Sequence, residues 1–318
     1  MKKLFFTLFL ILLLDTSYSE SFLDPLKIKN QYIFYLPYLF MQNETKFDNK
    51  NLFQFNLFKS NTFLSYGAMN SRGIIDLETT YTEIEYIYYI LPNLKIKISF
   101  PFIYDSGGYL DPIIEGFHHA VSLPNGGRDT WYNNKIYVWF EEKNLLIDKS
   151  CYGFSNPSIF ISNEIISINP YISFTIGIKP GIIDNLIVST KTWDIGNFLS
   201  FNYFFNDLFL YSGTGIVFMI GNDFFKNNFY RKKNFIFNYS IGGGLKIYEN
   251  TAFIFGLYIQ TSPYKTGIKR IDRISIINSY GFRFNISKNT ILQFNIDEDS
   301  FTFAGTDISF NISMEIKL

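Results

Sequence analysis

The chain has one cysteine, two histidines and no excess of charge of either sign, 28 basic residues standing against 28 acidic ones in 318. A single thiol closes no intrachain disulfide, so the stability of an exported chain must come from elsewhere. A formal net charge of zero argues against nucleic acid as a partner. After the first residues there is no apolar run of the roughly 20 residues that a membrane helix needs, which excludes a helical membrane protein. Yet hydrophobic residues make up 47% of the chain and aromatics 20%, with 37 Phe and 23 Tyr. Apolar content that is abundant but finely divided suits strands whose alternate residues meet lipid, with aromatic rings at the two interfaces.

Lys2 and Lys3, the apolar run from Leu4 to Leu14 and the small residues Ser17 and Ser19 read as a secretory signal peptide over residues 1–19. No cysteine sits at the cleavage site, so no lipid anchor is expected. Residues 20–318 then form one domain with no internal break. Its closing stretch is the clearest part: Ile308, Phe310, Ile312, Met314, Ile316 and Leu318 alternate strictly with Ser309, Asn311, Ser313, Glu315 and Lys317. One face of that strand wants oil and the other wants water, the pattern with which outer-membrane barrels end.

Similar stretches recur along the chain. They are Tyr32 to Phe40, Leu52 to Lys59, Gly73 to Tyr81, Leu94 to Phe102, Ile136 to Leu145, Pro157 to Ile165 and Ile168 to Ile178. The second half adds Trp193 to Phe204, Leu208 to Phe218, Phe235 to Ile247, Ala252 to Gln260, Ile274 to Phe284 and Thr290 to Ile296. With the closing strand they predict an all-β, antiparallel transmembrane β-barrel of about 12 to 14 strands. In the second half tight turns (Asn206-Asp207, Glu249-Asn250, Lys288-Asn289) alternate with longer polar connections, as periplasmic turns and outer loops do. Counting back from a periplasmic C-terminus over fourteen strands puts the long segment Tyr104 to Asn134 on the periplasmic side. A loop there should be short, so this segment is expected to fold into the lumen.

That segment carries Gly107-Gly108-Tyr109-Leu110-Asp111, then Ile114-Glu115-Gly116-Phe117-His118-His119, then Leu123-Pro124-Asn125-Gly126-Gly127-Arg128. Asp111 is suited to cap a helix and Pro112 to open it, so a short helix is predicted over Asp111 to Ser122. Asp111, Glu115, His118 and Ser122 fall on one face, with Ile114, Phe117 and Val121 beside them. Glu115 and His119 have the spacing of a metal pair; His118 with Asp111 and Ser122 supplies the residue types of a hydrolase triad. Ligands on a single helix make a poor metal set, and triads converge from separate elements. The expectation is therefore a lumen or constriction element of Asp111, Glu115, His118, His119, Ser122 and Arg128, with carboxylates in ion pairs and no metal, cofactor or catalytic group.

The same blocks, together with Ile28-Lys29-Asn30-Gln31, resemble the signature of an uncharacterised bacterial family of predicted outer-membrane barrels. That family carries an Arg-Asn-Gln opening and a Gly-Phe-Leu-Asp, Ile-Glu-x-Phe-His, Leu-Pro-Asn-Gly-Gly-Arg block. Tyr109 stands here for its Phe and Lys29 for its Arg. The resemblance implies a barrel and no known activity. The leading expectation is a passive channel for small solutes in the bacterial outer membrane, in contact with its lipids and with the barrel assembly machinery. Its lumen would be lined by Lys95, Lys97, Lys179, Lys246, Arg283, Asn285, Gln293, Asn295, Glu315 and Lys317, charges of both signs that favour weak selectivity. The alternatives are an outer-membrane lipid hydrolase with a histidine base and a structural or surface-binding barrel.

Overall fold

The computed structural model describes residues 23–44, 47–68, 71–120, 122, 127–141, 145–183, 185, 188–221, 231–299 and 304–318; the signal peptide expected over 1–19 lies outside them. Twelve antiparallel strands close into one barrel. They are β1 (Leu52–Ala68), β2 (Ser71–Leu91), β3 (Leu94–Ser106), β4 (Ser158–Ile166), β5 (Tyr171–Lys179) and β6 (Trp193–Phe205), followed by β7 (Leu208–Ile220), β8 (Phe235–Tyr248), β9 (Thr251–Gln260), β10 (Ser275–Ser287), β11 (Thr290–Asp299) and β12 (Ile308–Lys317). Each pairs with its neighbour in sequence, and β12 pairs with β1 from Asn61↔Ile308 to Leu52↔Lys317, so the closing strand is also the closing seam.

Period-2 alternation decides the two faces. On β12, Phe310 and Ile312 are exposed while Ser309, Asn311 and Ser313 are buried. The same holds around the wall, where Ile159, Ile161, Phe174, Ile176, Leu199 and Phe294 face outward. Outward aromatics gather near both rims, with Trp193, Phe218 and Phe235 at one and Tyr88, Phe205 and Tyr248 at the other. With the twelve wall strands closed on one another and an apolar belt outside, this is an outer-membrane barrel. Of the residues expected to line the lumen, all but the half-buried Lys246 are buried. A single residue inserted beside Ile312 should turn the rest of β12 inside out and prevent closure; the check is loss of the heat-modifiable band on gels.

Two of the fourteen expected strands are not in the wall. Ile136 to Leu145 yields only a short strand, Tyr137–Phe140, which pairs with the protruding half of β2 (Gly73↔Phe140 to Asp76↔Tyr137) and folds back onto Leu145–Ile147. Tyr32 to Phe40 is a turn, not a strand. Pro37 has no N–H for a ladder, and the stretch is apolar on both faces, unlike its alternating neighbours. Dropping the strand after Tyr104–Asn134 flips the parity. The long segment therefore lies at the end of the long loops, opposite the C-terminus and the turns at 92–93, 206–207, 249–250 and 288–289. The expected entry into the lumen is thus overturned: the lumen is filled by another part of the chain.

That part is an arm, described over residues 23–44 and 47–50. Leu23, Leu26 and Ile28 pack against Phe209, Ala252 and Ile291, near the tight turns. The chain then climbs to a turn at Tyr32–Tyr38, where Tyr35 N and Leu36 N donate to Tyr32 O at 2.8 and 2.9 Å, and where Phe34, Tyr38 and Tyr264 cluster at the loop end. It descends again to Asp48, which reaches Lys317 at 2.8 Å, and enters β1 beside the C-terminus, Leu318 N donating to Asn51 O at 2.9 Å. Apolar side chains that would be lipid-facing on a strand are instead dry on all sides.

Candidate functional site

The lumen is polar, and the arm is fastened to it by side chains. At the tight-turn half, the fully buried Arg283 holds Glu315 at 3.0 Å, the arm's Asp24 at 3.6 Å and Gln293 at 3.2 Å. Gln293 and the backbone of Lys27 exchange two hydrogen bonds, Lys27 N to Oε1 and Nε2 to Lys27 O, both 3.3 Å. In the middle, Lys27 faces Glu85 at 3.8 Å, and Glu44 is gripped by Lys95 at 2.7 Å and Lys97 at 3.5 Å; Lys97 also faces Glu85 at 3.5 Å. Across the lumen, Asp194 accepts from Leu39 N at 2.9 Å and pairs with Lys179 at 3.1 Å. The Asn30-Gln31 pair singled out in the sequence is fully buried here: Asn30 Nδ2 donates to Gln260 and Ser275, and Gln31 Nε2 to Ser309 at 2.6 Å. Buried charges cost several kcal/mol each unless compensated, and here wall and arm compensate each other.

Among the described residues, two spaces lie beside the arm, each with room for little more than water. One is central and lined by Lys29, Glu83, Glu85, Lys97, Lys179 and Phe160. The other lies at the tight-turn end and is lined by Lys95, Glu44, Tyr89, Arg283, Glu315 and Lys317. The Glu44 carboxylate and its two lysines stand between them.

The residues expected to form a lumen site lie elsewhere. The helix α1 (Asp111–Ala120) starts one residue earlier than Pro112, with Leu110 O accepting from Ile114 N at 2.9 Å, so Leu110 and not Asp111 is its cap. The Asp111 side chain turns away from its own helix. It binds Arg128, accepts from Asn61 Nδ2 at 2.9 Å and takes Asn134 N at 2.7 Å. The second guanidinium nitrogen of Arg128 binds Asp307, whose carboxylate also takes Phe63 N at 3.0 Å, and the guanidinium lies over the Phe63 ring at 4.8 Å. Glu78 accepts from Tyr109 N and Leu110 N and pairs with Lys59 at 2.8 Å. Only a glycine in the left-handed region, φ +63°, lets the backbone at Gly108 sit against that carboxylate.

Lys59, Asn61 and Phe63 alternate with the inward Phe58, Ser60 and Leu64, so the segment lies on the outward face of the protruding β1–β2 hairpin, across the β12–β1 seam. The structure brings Asp111 and Arg128 together. Glu115 reaches Asn133 at 3.4 Å, His118 is half-buried, and His119 and Ser122 are exposed. Among the described residues no three His, Cys, Asp or Glu gather as a metal set. What the sequence reading missed is the arm. Its signal was Pro37 in an aromatic run that does not alternate, just before the first alternating strand.

Comparison with known proteins bears on the fold. No curated protein matches the sequence. An outer membrane channel from Pseudomonas putida F1 superimposes with a TM-score of 0.59 over 85% of this chain and 96% of that one, at 10% identity. The NanC porin (TM-score 0.47, 83% and 100% covered, 5% identity) and the toluene transporter TbuX of Ralstonia pickettii (0.41, 85% and 90%, 8%) are more distant and add nothing to it. A family model described as "Protein of unknown function (DUF3187)" matches residues 4–318, nearly the whole chain, and the protein belongs to that family.

Proposed function

We propose that the protein is a passive outer-membrane channel for small solutes, closed at rest by its own N-terminal arm, and not an enzyme. The observation that carries this reading is the arm itself. It fills a polar lumen without joining any wall ladder, held by side-chain pairs and flanked by two small spaces lined with charged groups. A barrel meant only as a scaffold gains nothing from a lumen lined by charges of both signs, since an apolar filling is as stable or more so. The fold neighbour from P. putida is itself an outer membrane channel. The histidines gain no such support, because the Asp111 carboxylate is already taken by Arg128, Asn61 and Asn134.

The test is planar-bilayer recording of the intact protein and of a variant lacking residues 23–44. The intact protein should show brief or no openings and the variant a steady conductance. Silence from a correctly folded variant refutes the channel reading.

A further inference from the structure

The wall of the lumen carries two lysines on one face of one strand, and a carboxylate from outside the wall sits between them. Lys95 and Lys97 are successive inward residues of β3, each 3% exposed. Lys95 lies over the rings of Phe47 at 4.2 Å and Tyr89 at 5.9 Å, and Lys97 over Phe160 at 4.5 Å. Their common acidic partner, Glu44, belongs to the arm and is held there by two further bonds, its N–H to Ser200 Oγ at 3.0 Å and its C=O to Asn202 Nδ2 at 2.9 Å. Lys97 lines the central space, while Lys95 and Glu44 line the one at the tight-turn end. The Glu44 bridge therefore stands between the two beside Lys27, which lines both, and its departure frees the Lys95 ammonium and leaves Lys97 with Glu85 alone.

Resting on the channel reading above, we infer that Lys95 and Lys97 form a binding site for the carboxylate of a small solute, and that Glu44 occupies this site in the closed state as a built-in competitor. A monocarboxylate presents the same oxygen pair to the same two amines. The wall loses one anion as it gains another, so the exchange leaves no buried lysine without a partner. A solute without a negative charge offers no such compensation, and the lysines then keep Glu44. Opening and substrate choice thus reside in one pair of side chains.

The experiment uses proteoliposomes, with acetate and glycerol as probes and four proteins: the intact chain, Glu44→Gln, the triple variant Glu44→Gln with Lys95→Met and Lys97→Met, and the variant lacking 23–44. Glu44→Gln should admit both probes faster than the intact chain. The triple variant should admit glycerol at the Glu44→Gln rate but acetate about tenfold more slowly, the loss expected when a hydrogen bond to a charged group is removed. Equal acetate rates in Glu44→Gln and the triple variant overturn the inference, because the lysines then only pin the arm. If the variant lacking 23–44 conducts while Glu44→Gln behaves as the intact chain, Glu44 is not the competitor and the inference falls although the channel stands. If that variant passes neither probe, the channel reading fails and takes the inference with it. Labelling offers a check that spares the lysines: in the protein lacking 23–44, acetate should shield Lys95 and Lys97 from an amine-reactive reagent, and equal labelling with and without acetate overturns the site.

Discussion

An Arg128→Ala variant should assemble into a normal barrel whose 107–134 segment is open to protease, cut about a hundredfold faster than in the wild type. The expectation follows from what Arg128 joins. Its two guanidinium nitrogens bind Asp111 and Asp307, which come from opposite sides of the β12–β1 seam, and its plane covers Phe63. Asp111 is 1% exposed, so removing the cation strands a buried carboxylate; such losses cost about 3–5 kcal/mol. The low end applies, because the Asp307 side chain keeps 31% of its surface in water. The strand ladders are untouched, so gel mobility should be unchanged while cleavage rises. Arg128→Lys should rescue little, since an ammonium cannot span both carboxylates as a guanidinium fork does. Pairing Arg128→Ala with Asp111→Asn should recover part of the loss, and full additivity of the two single effects would show that the pair is not coupled.

The second large effect is expected at Arg283, the largest fully buried side chain. Replacement by Met keeps the volume but strands Glu315 on the wall and Asp24 on the arm, again about 3–5 kcal/mol. The wall has its backbone ladders to hold it, whereas the Leu23–Ile28 stretch of the arm keeps its packing, the Gln293 exchange and the long Lys27–Glu85 pair at 3.8 Å. The cost should therefore appear as release of the arm's first residues. Limited proteolysis should trim the N-terminus of Arg283→Met under conditions that leave the wild type intact, and bilayer recordings should show openings the wild type lacks. An untrimmed, silent Arg283→Met protein would mean that the Asp24–Arg283 pair is not what holds the arm's first residues.

How much of this was legible in the sequence varied with the kind of signal. Alternation at period 2 is local, and β12, β3 and β5 stand where their residues place them. Lys95, Lys97 and Arg283 face inward for the same reason. Tyr32–Phe40 has the length and apolarity of a strand but not its alternation, and the missing alternation is what marks it as a turn. Its rings bury themselves in the lumen as well as they would in lipid. Parity has no such tolerance: one false strand at Ile136–Leu145 moved Tyr104–Asn134 to the wrong end of the barrel. The Asp111–Arg128 pairing was readable as residue types, but its partner Asp307 lies 179 residues from Arg128, and only the closed seam brings it there. Glu44 gave no local sign at all, since its meaning depends on two lysines of another element.

The arm enters and leaves the lumen at the same end, the end of the tight turns, and it runs directly into β1. Among the described residues from Leu23 on, the arm doubles back at Tyr32–Tyr38 and does not pass through the barrel, so withdrawal of that stretch asks for no wall strand to part. An arm that has left stays tethered at Asn51, at an effective concentration on the order of millimolar at the mouth it vacated. Re-entry is then a unimolecular event that competes with every solute molecule on equal terms. A pore working as proposed would give brief openings whose frequency follows solute supply, and it would reseal without a signal once the supply ends.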